Sequence, residues 1–71
     1  MTTLIQQIES AAHEFNQTHY DGVGQRVVDA AQRLIAALER DRGVAEAAAE
    51  VRDVARRAGC VVLQDIADSL S

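Results

Sequence analysis

Three consecutive stretches of the chain space their apolar residues by three and four. The first runs Met1, Leu4, Ile5, Ile8, Ala11, Ala12, Phe15. The second runs Gly24, Val27, Val28, Ala31, Leu34, Ile35, Leu38, and the third Val44, Ala47, Ala48, Val51, Val54, Ala55, Ala58. This spacing places each set on one side of an α-helix. It predicts helices from Thr2 or Thr3 to about Thr18, from about Val23 to Arg40, and from about Val44 to Ala58. The predicted fold class is all-α: a small helical bundle built on an antiparallel helical hairpin, with three long helices plus a short C-terminal helix. Residues 1–71 are read as a single helical interaction domain.

Local signals set the ends of these segments. Thr3 followed by Gln6 fits a capping box, in which each side chain satisfies the other residue's backbone N–H. Asp21-Gly22 predicts a turn, with Asp21 placed to cap the second helix, and Gly22 and Gly24 loosen that joint. Asp41-Arg42-Gly43 predicts a short link: Gly43 suits the left-handed closure of the second helix, and Asp41 is an alternative cap for the third. A link this short predicts an antiparallel pairing of helices two and three. In the third helix Glu46 and Glu50 come early and Arg52, Arg56 and Arg57 late, which complements the helix dipole. Asp29–Arg33 and Asp53–Arg57 are spaced for i,i+4 ion pairs. Beyond Gly59, the tail repeats Val62, Ile66 and Leu70 every four residues, which favours a short helix. Cys-Val-Val-Leu also fits a strand, since periodicity alone does not separate the two in so short a run.

The second helix is apolar over more than one stripe, because Val23, Ala30 and Ala37 widen its face. A face that wide is covered from two sides. A 71-residue chain also buries only roughly 60% of the surface its unfolded form exposes. Chains of this size commonly recruit disulfides, a metal or a partner subunit. The lone Cys60 excludes an internal disulfide, and metal ligands are scarce. A homodimer is therefore expected, with Val27, Val28, Ala31, Leu34, Ile35 and Leu38 at its interface.

Composition narrows the class further. Hydrophobic residues make up 48% of the chain, too many for a disordered tail. No apolar run approaches the roughly 20 residues that cross a bilayer, and no signal-peptide pattern opens the sequence. With one unpaired cysteine, a cytoplasmic location is expected. Arginine supplies every basic residue and alanine is abundant, which fits a GC-rich bacterial or phage genome. The net charge of −4 is unevenly spread. Arg26 to Arg57 holds all seven arginines against six acids, whereas Glu9, Glu14, Asp21, Asp65 and Asp68 lie outside with no basic residue. Such a chain repels a phosphate backbone unless one basic face outweighs the total.

Few residues offer chemistry. Cys60 has no recognisable histidine partner and reads as a buried small residue. His13 and His19 are six apart, whereas two metal ligands on one helical face need a spacing of three or four. His13 falls opposite the apolar stripe. His19-Tyr20-Asp21 groups three polar residues, but adjacent residues rarely converge on one atom, and Tyr20 reads better as a partner contact. Arg26, Arg33 and Arg40 recur every seven residues and form a stripe about 20 Å long. They read as a solvated face or, functionally, as a docking stripe for an acidic partner surface. No phosphate loop, catalytic carboxylate pair, Ser-His-Asp order or CxxC is present. Neither an enzyme, a cofactor nor a small-molecule substrate is expected.

Asp53-Val54-Ala55-Arg56-Arg57-Ala58-Gly59 resembles the opening of the helix-turn-helix in lac-repressor-type regulators, Asp-Val-Ala-x-x-Ala-Gly. In that family the alanine matching Ala55 packs where the helices cross, and the glycine matching Gly59 makes the turn. The resemblance covers seven residues and then departs. Val61 replaces a serine, Asp65 occupies an apolar position, and Ile66 is shifted by one. The helix matching the recognition helix carries Asp65 and Asp68 and no arginine. Base- and phosphate-reading helices present Arg, Lys, Asn or Gln, and only Gln64 qualifies. The resemblance implies a small dimeric transcriptional regulator or antitoxin, with a degenerate helix-turn-helix at 53–70 and Arg52, Arg56 and Arg57 on DNA. The residues as a whole favour a non-enzymatic protein-binding module, an adaptor or inhibitor that occupies another protein's surface. Nucleic acid and membrane are not expected as partners.

Overall fold

A computed structural model describes residues 3–19 and 22–70. The described residues form four helices and no strand: α1 (Leu4–Thr18), α2 (Val23–Arg40), α3 (Val44–Ala58) and α4 (Val61–Leu70). The helical reading of the tail holds. α2 packs against both α1 and α3, α3 packs against α4, and α4 meets α1 far more sparingly. The chain's radius of gyration is 10.8 Å, close to the ~11 Å of a compact chain this long.

The capping box forms as the sequence predicts. Gln6 N–H donates to Thr3 Oγ1 at 3.1 Å and Thr3 N–H to Gln6 Oε1 at 3.2 Å. The ends of the middle helices differ from expectation. Asp41, not Gly43, closes α2 in the left-handed conformation, at φ 54°. Its N–H reaches the Ala37 and Leu38 carbonyls, and Arg42 N–H donates to Ala37 O at 3.1 Å. These are the paired bonds of a Schellman closure, and aspartate tolerates the left-handed region better than most side chains. Asp41 therefore does not cap α3; Gly43 precedes that helix with no side-chain cap. α2 likewise starts after Gly22 without one, and the cap expected from Asp21 lies outside the described residues.

The core is wholly apolar. Ile8, Ala12, Val27, Val28, Ala30, Ala31, Leu34, Ala48, Val51, Ala55, Cys60, Leu63 and Ala67 form one buried cluster, and no polar or charged residue is buried among the described residues. Each long helix contributes the centre of its predicted stripe. The width of the α2 face has a cause inside the chain. Ala30 is 3% exposed and Ala37 9%, and α1 and α3 cover α2 from its two sides. Val27, Val28, Ala31 and Leu34 are buried within this single chain, and Ile35 and Leu38 pack partly buried against its core. A second chain is not needed to explain the width from which the dimer interface was inferred.

One close approach holds α1 to α2. A Cβ on Gly24 would lie 2.5 Å from Asn16 Oδ1 and 2.7 Å from Asn16 Cα. Real Cβ atoms do not come that near a backbone carbon, so only glycine fits here. Gly24 thus serves packing, where its sequence context suggested only a loose joint.

At the far end, Gly59 turns the chain at φ 82°, and its N–H and that of Cys60 both donate to the Ala55 carbonyl, the latter at 2.8 Å. The residue after such a closure often packs its side chain onto the helix just ended, and Cys60 is buried accordingly. α4 then buries Leu63 and Ala67, with Ile66 and Leu70 packed against the core. Its true stripe runs 63, 66, 67, 70, the same three-and-four spacing as in the other helices. The every-fourth series from Val62 is corrected by this phase, which turns Val62 outward.

Candidate interaction surface

Two neighbouring β-branched side chains stand at the start of α4. Val61 is 65% exposed and Val62 59%, the most exposed of the large apolar residues among those described. Their position follows from the corner at Gly59-Cys60. Once Leu63 is committed to the core, the two residues before it on the helix point elsewhere. They border a groove between α4 and α1. One end is lined by Phe15, Thr18, Cys60, Val61 and Val62, the other by Gln7, Ser10, Val62, Asp65 and Ile66, with Ala11 and Glu14 common to both. The groove exists because α1 and α4 touch at few points, whereas α1 with α2, α2 with α3 and α3 with α4 pack far more extensively.

Phe15 is held in this groove from below its own turn. His19 stacks on its ring with centroids 3.9 Å apart and planes 18° from parallel. The Phe15 carbonyl accepts from His19 Nδ1 at 2.9 Å and from Thr18 Oγ1 at 3.0 Å. These bonds satisfy one of the carbonyls that a helix C-terminus leaves open. His19 is therefore occupied in finishing α1. Tyr20, read from sequence as a partner contact, lies outside the described residues.

The arginine stripe is exposed but not uniform. Arg33 pairs with Glu50 of α3, while Arg26 and Arg40 make no ion pair among the described residues. The side chains of Arg33 and Glu50 are 68% and 44% exposed, so the bond is solvent-screened and contributes at most ~1 kcal/mol. Arg33 is thus taken from the predicted pair with Asp29, which instead accepts from Gln25 Nε2 at 3.0 Å. The second predicted pair forms: Arg57 lies 3.4 Å from Asp53.

The segment resembling a helix-turn-helix does form two helices joined at Gly59, with Ala55 buried between them. Its electrostatics differ from those of a DNA reader. Arg52 lies 3.5 Å from Asp68 of α4, Arg57 is held by Asp53, and the exposed side of α4 presents Val61, Val62, Asp65 and Asp68.

A smaller hollow between α1 and α2 is bordered by Glu9, His13, Val28, Gln32 and Ile35. Its volume of about 180 Å³ is below the roughly 300 Å³ at which small-molecule pockets begin. Among the described residues, no group of three or more His, Cys, Asp or Glu is placed to hold a metal ion. Among the described residues, no helix is long and apolar enough to cross a membrane.

No protein-family model, no curated protein and no solved structure matches this chain.

The sequence reading missed the valine pair and the groove. A signal was present: the spacing 63, 66, 67, 70 leaves both valines off the apolar stripe of the helix that carries them.

Proposed function

We propose that this chain is a non-enzymatic protein-binding module, an adaptor or inhibitor that acts by occupying a partner's surface with its α1/α4 face. The observation that carries this reading is the exposed Val61–Val62 pair beside the α1/α4 groove, the two most exposed large apolar side chains among the described residues. Apolar surface left beside a groove and rimmed by polar groups marks interaction sites. α2 and α3 form the frame, read as an antiparallel hairpin: three residues link them and Arg33 reaches across to Glu50. The arginine stripe is secondary, because its middle member is already paired. The partner is a different protein, since the apolar face of α2 that would join two copies is spent within one chain.

The test is affinity capture of tagged protein from bacterial lysate, with and without nuclease, beside a Val61→Glu/Val62→Glu variant. A protein retained after nuclease by the native chain and lost by the variant supports the reading. Recovery that depends on nucleic acid would replace it with the regulator implied by residues 53–70.

A further inference from the structure

The groove that serves this reading has a definite charge. Its polar rim is acidic: Glu14 stands at both ends and Asp65 at one, and no basic side chain lines it. Neither carboxylate makes an ion pair among the described residues. All seven arginines lie on α2, α3 or the link between them, away from the groove. The apolar part is continuous, from Phe15 and Ala11 of α1 to Val61, Val62 and Ile66 of α4. Its α1 wall, Gln7 to Thr18, spans roughly 16 Å, about three helical turns.

From this juxtaposition we infer that the α1/α4 groove receives an amphipathic helix of another protein, one whose polar face is basic. The inference rests on the proposed protein-binding reading and names its partner's chemistry. An incoming helix lays apolar residues at i, i+3, i+4 and i+7 along such a groove. Valines 61 and 62 and the Phe15 ring supply the complementary contact. Lysines or arginines flanking those anchors meet Glu14 and Asp65, which quickens association and rejects acidic helices. A second copy of this chain is a poorer occupant. A two-fold contact at this face would set one acidic rim, Glu14 and Asp65, against the other. Docking on another copy's arginine-bearing helices would be head-to-tail, an arrangement that builds rings or filaments and not the commoner two-fold dimer.

Three helical peptides with one leucine–alanine apolar face, and polar faces of lysine and arginine, of glutamine, or of glutamate, provide the probe. Each is titrated into the isotope-labelled 71-residue chain and followed by amide NMR. The basic peptide is expected to bind, moving the signals of Ala11, Glu14, Val61, Val62 and Asp65, and to weaken as salt is added. The glutamate peptide is expected to bind at least about tenfold more weakly. A Glu14→Gln/Asp65→Asn variant is expected to shrink that difference to under about threefold, since it removes the rim charge and keeps the apolar floor. Equal binding of all three peptides at this groove would overturn the basic-partner inference and leave the protein-binding reading standing. Signals moving only on α2 and α3, or no binding of any peptide, would overturn the groove as a helix receptor, while the lysate capture independently decides whether the chain binds a protein at all. A dimer in sedimentation that Val62→Glu dissolves would assign the groove to a second copy and overturn the inference.

Discussion

Helix α1 meets two neighbours in opposite ways. Against α2 the approach is so close that Gly24 can carry no side chain, since any Cβ would overlap Asn16. Against α4 the contact is sparse, and two valines stand exposed beside an unfilled groove. The difference does not come from a shortage of apolar residues, because α4 holds Val61 and Val62 exposed beyond those it packs against the core. It comes from the corner at Gly59-Cys60, which commits α4 to α3 and leaves α1 only its edge. One seam of this bundle is closed by removing a side chain; the other stays open although side chains to fill it are present.

Four substitutions break or sharpen that contrast, in falling order of effect. Leu34, fully buried, belongs to the core on which both seams depend. Leu34→Arg buries an unpaired charge, and a loss of ~3–5 kcal/mol is expected, seen as an unfolded chain by circular dichroism. A folded protein would show that α2 faces solvent or a second chain. Gly24→Ala attacks the closed seam alone. Helix propensity favours alanine by ~1 kcal/mol, but the overlap with the Asn16 backbone outweighs it, for a net loss of ~1–2 kcal/mol in urea unfolding. A stabilised variant would mean that the seam is looser than its geometry indicates.

Gly59→Ala acts on the corner that holds the other seam open. A non-glycine residue at φ 82° costs ~1 kcal/mol, and the amide signals of Val61 and Val62 should shift more than those of α2. Val62→Ser is the mildest. At a residue 59% exposed, a stability change within ~0.5 kcal/mol is expected, together with loss of partner capture. A large destabilisation would show that the groove is filled in solution.

The helices themselves were legible because each has a repeated apolar spacing and recognisable ends; Thr3 and Gln6 form the bonds their spacing predicts. Local pattern was less able to say what covers a face. The breadth of α2 implied two coverings, and both turned out to belong to the same chain. Arg33 was paired by spacing with Asp29, but a residue 17 positions away on α3 claims it, and no periodicity within one helix reports that. The phase of α4 was misread because Val62, Ile66 and Leu70 and the true 63, 66, 67, 70 set share two members. Only contact with α3 chooses between them. The groove was hidden for the same reason, since the exposure of Val61 and Val62 depends on where α1 runs relative to α4. Arg26 and Arg40 are where the stripe predicts, on the outside of α2.

The core described above contains few large side chains. Ile8, Leu34, Leu63, Val27 and Val51 are the largest that are fully enclosed, and alanine supplies much of the remainder. A chain this short also absorbs little heat on melting, about 50 kcal/mol near 60 °C at ~0.7 kcal/mol per residue. Its transition is therefore broad, and each kcal/mol displaces the midpoint by ~4–8 °C. A ligand of the folded state at a hundred times its dissociation constant adds ~2.7 kcal/mol, enough to raise the midpoint by more than ten degrees. So small a core in so short a chain makes the protein its own calorimetric reporter, in which the arrival of a partner is registered as a large upward displacement of the melting curve.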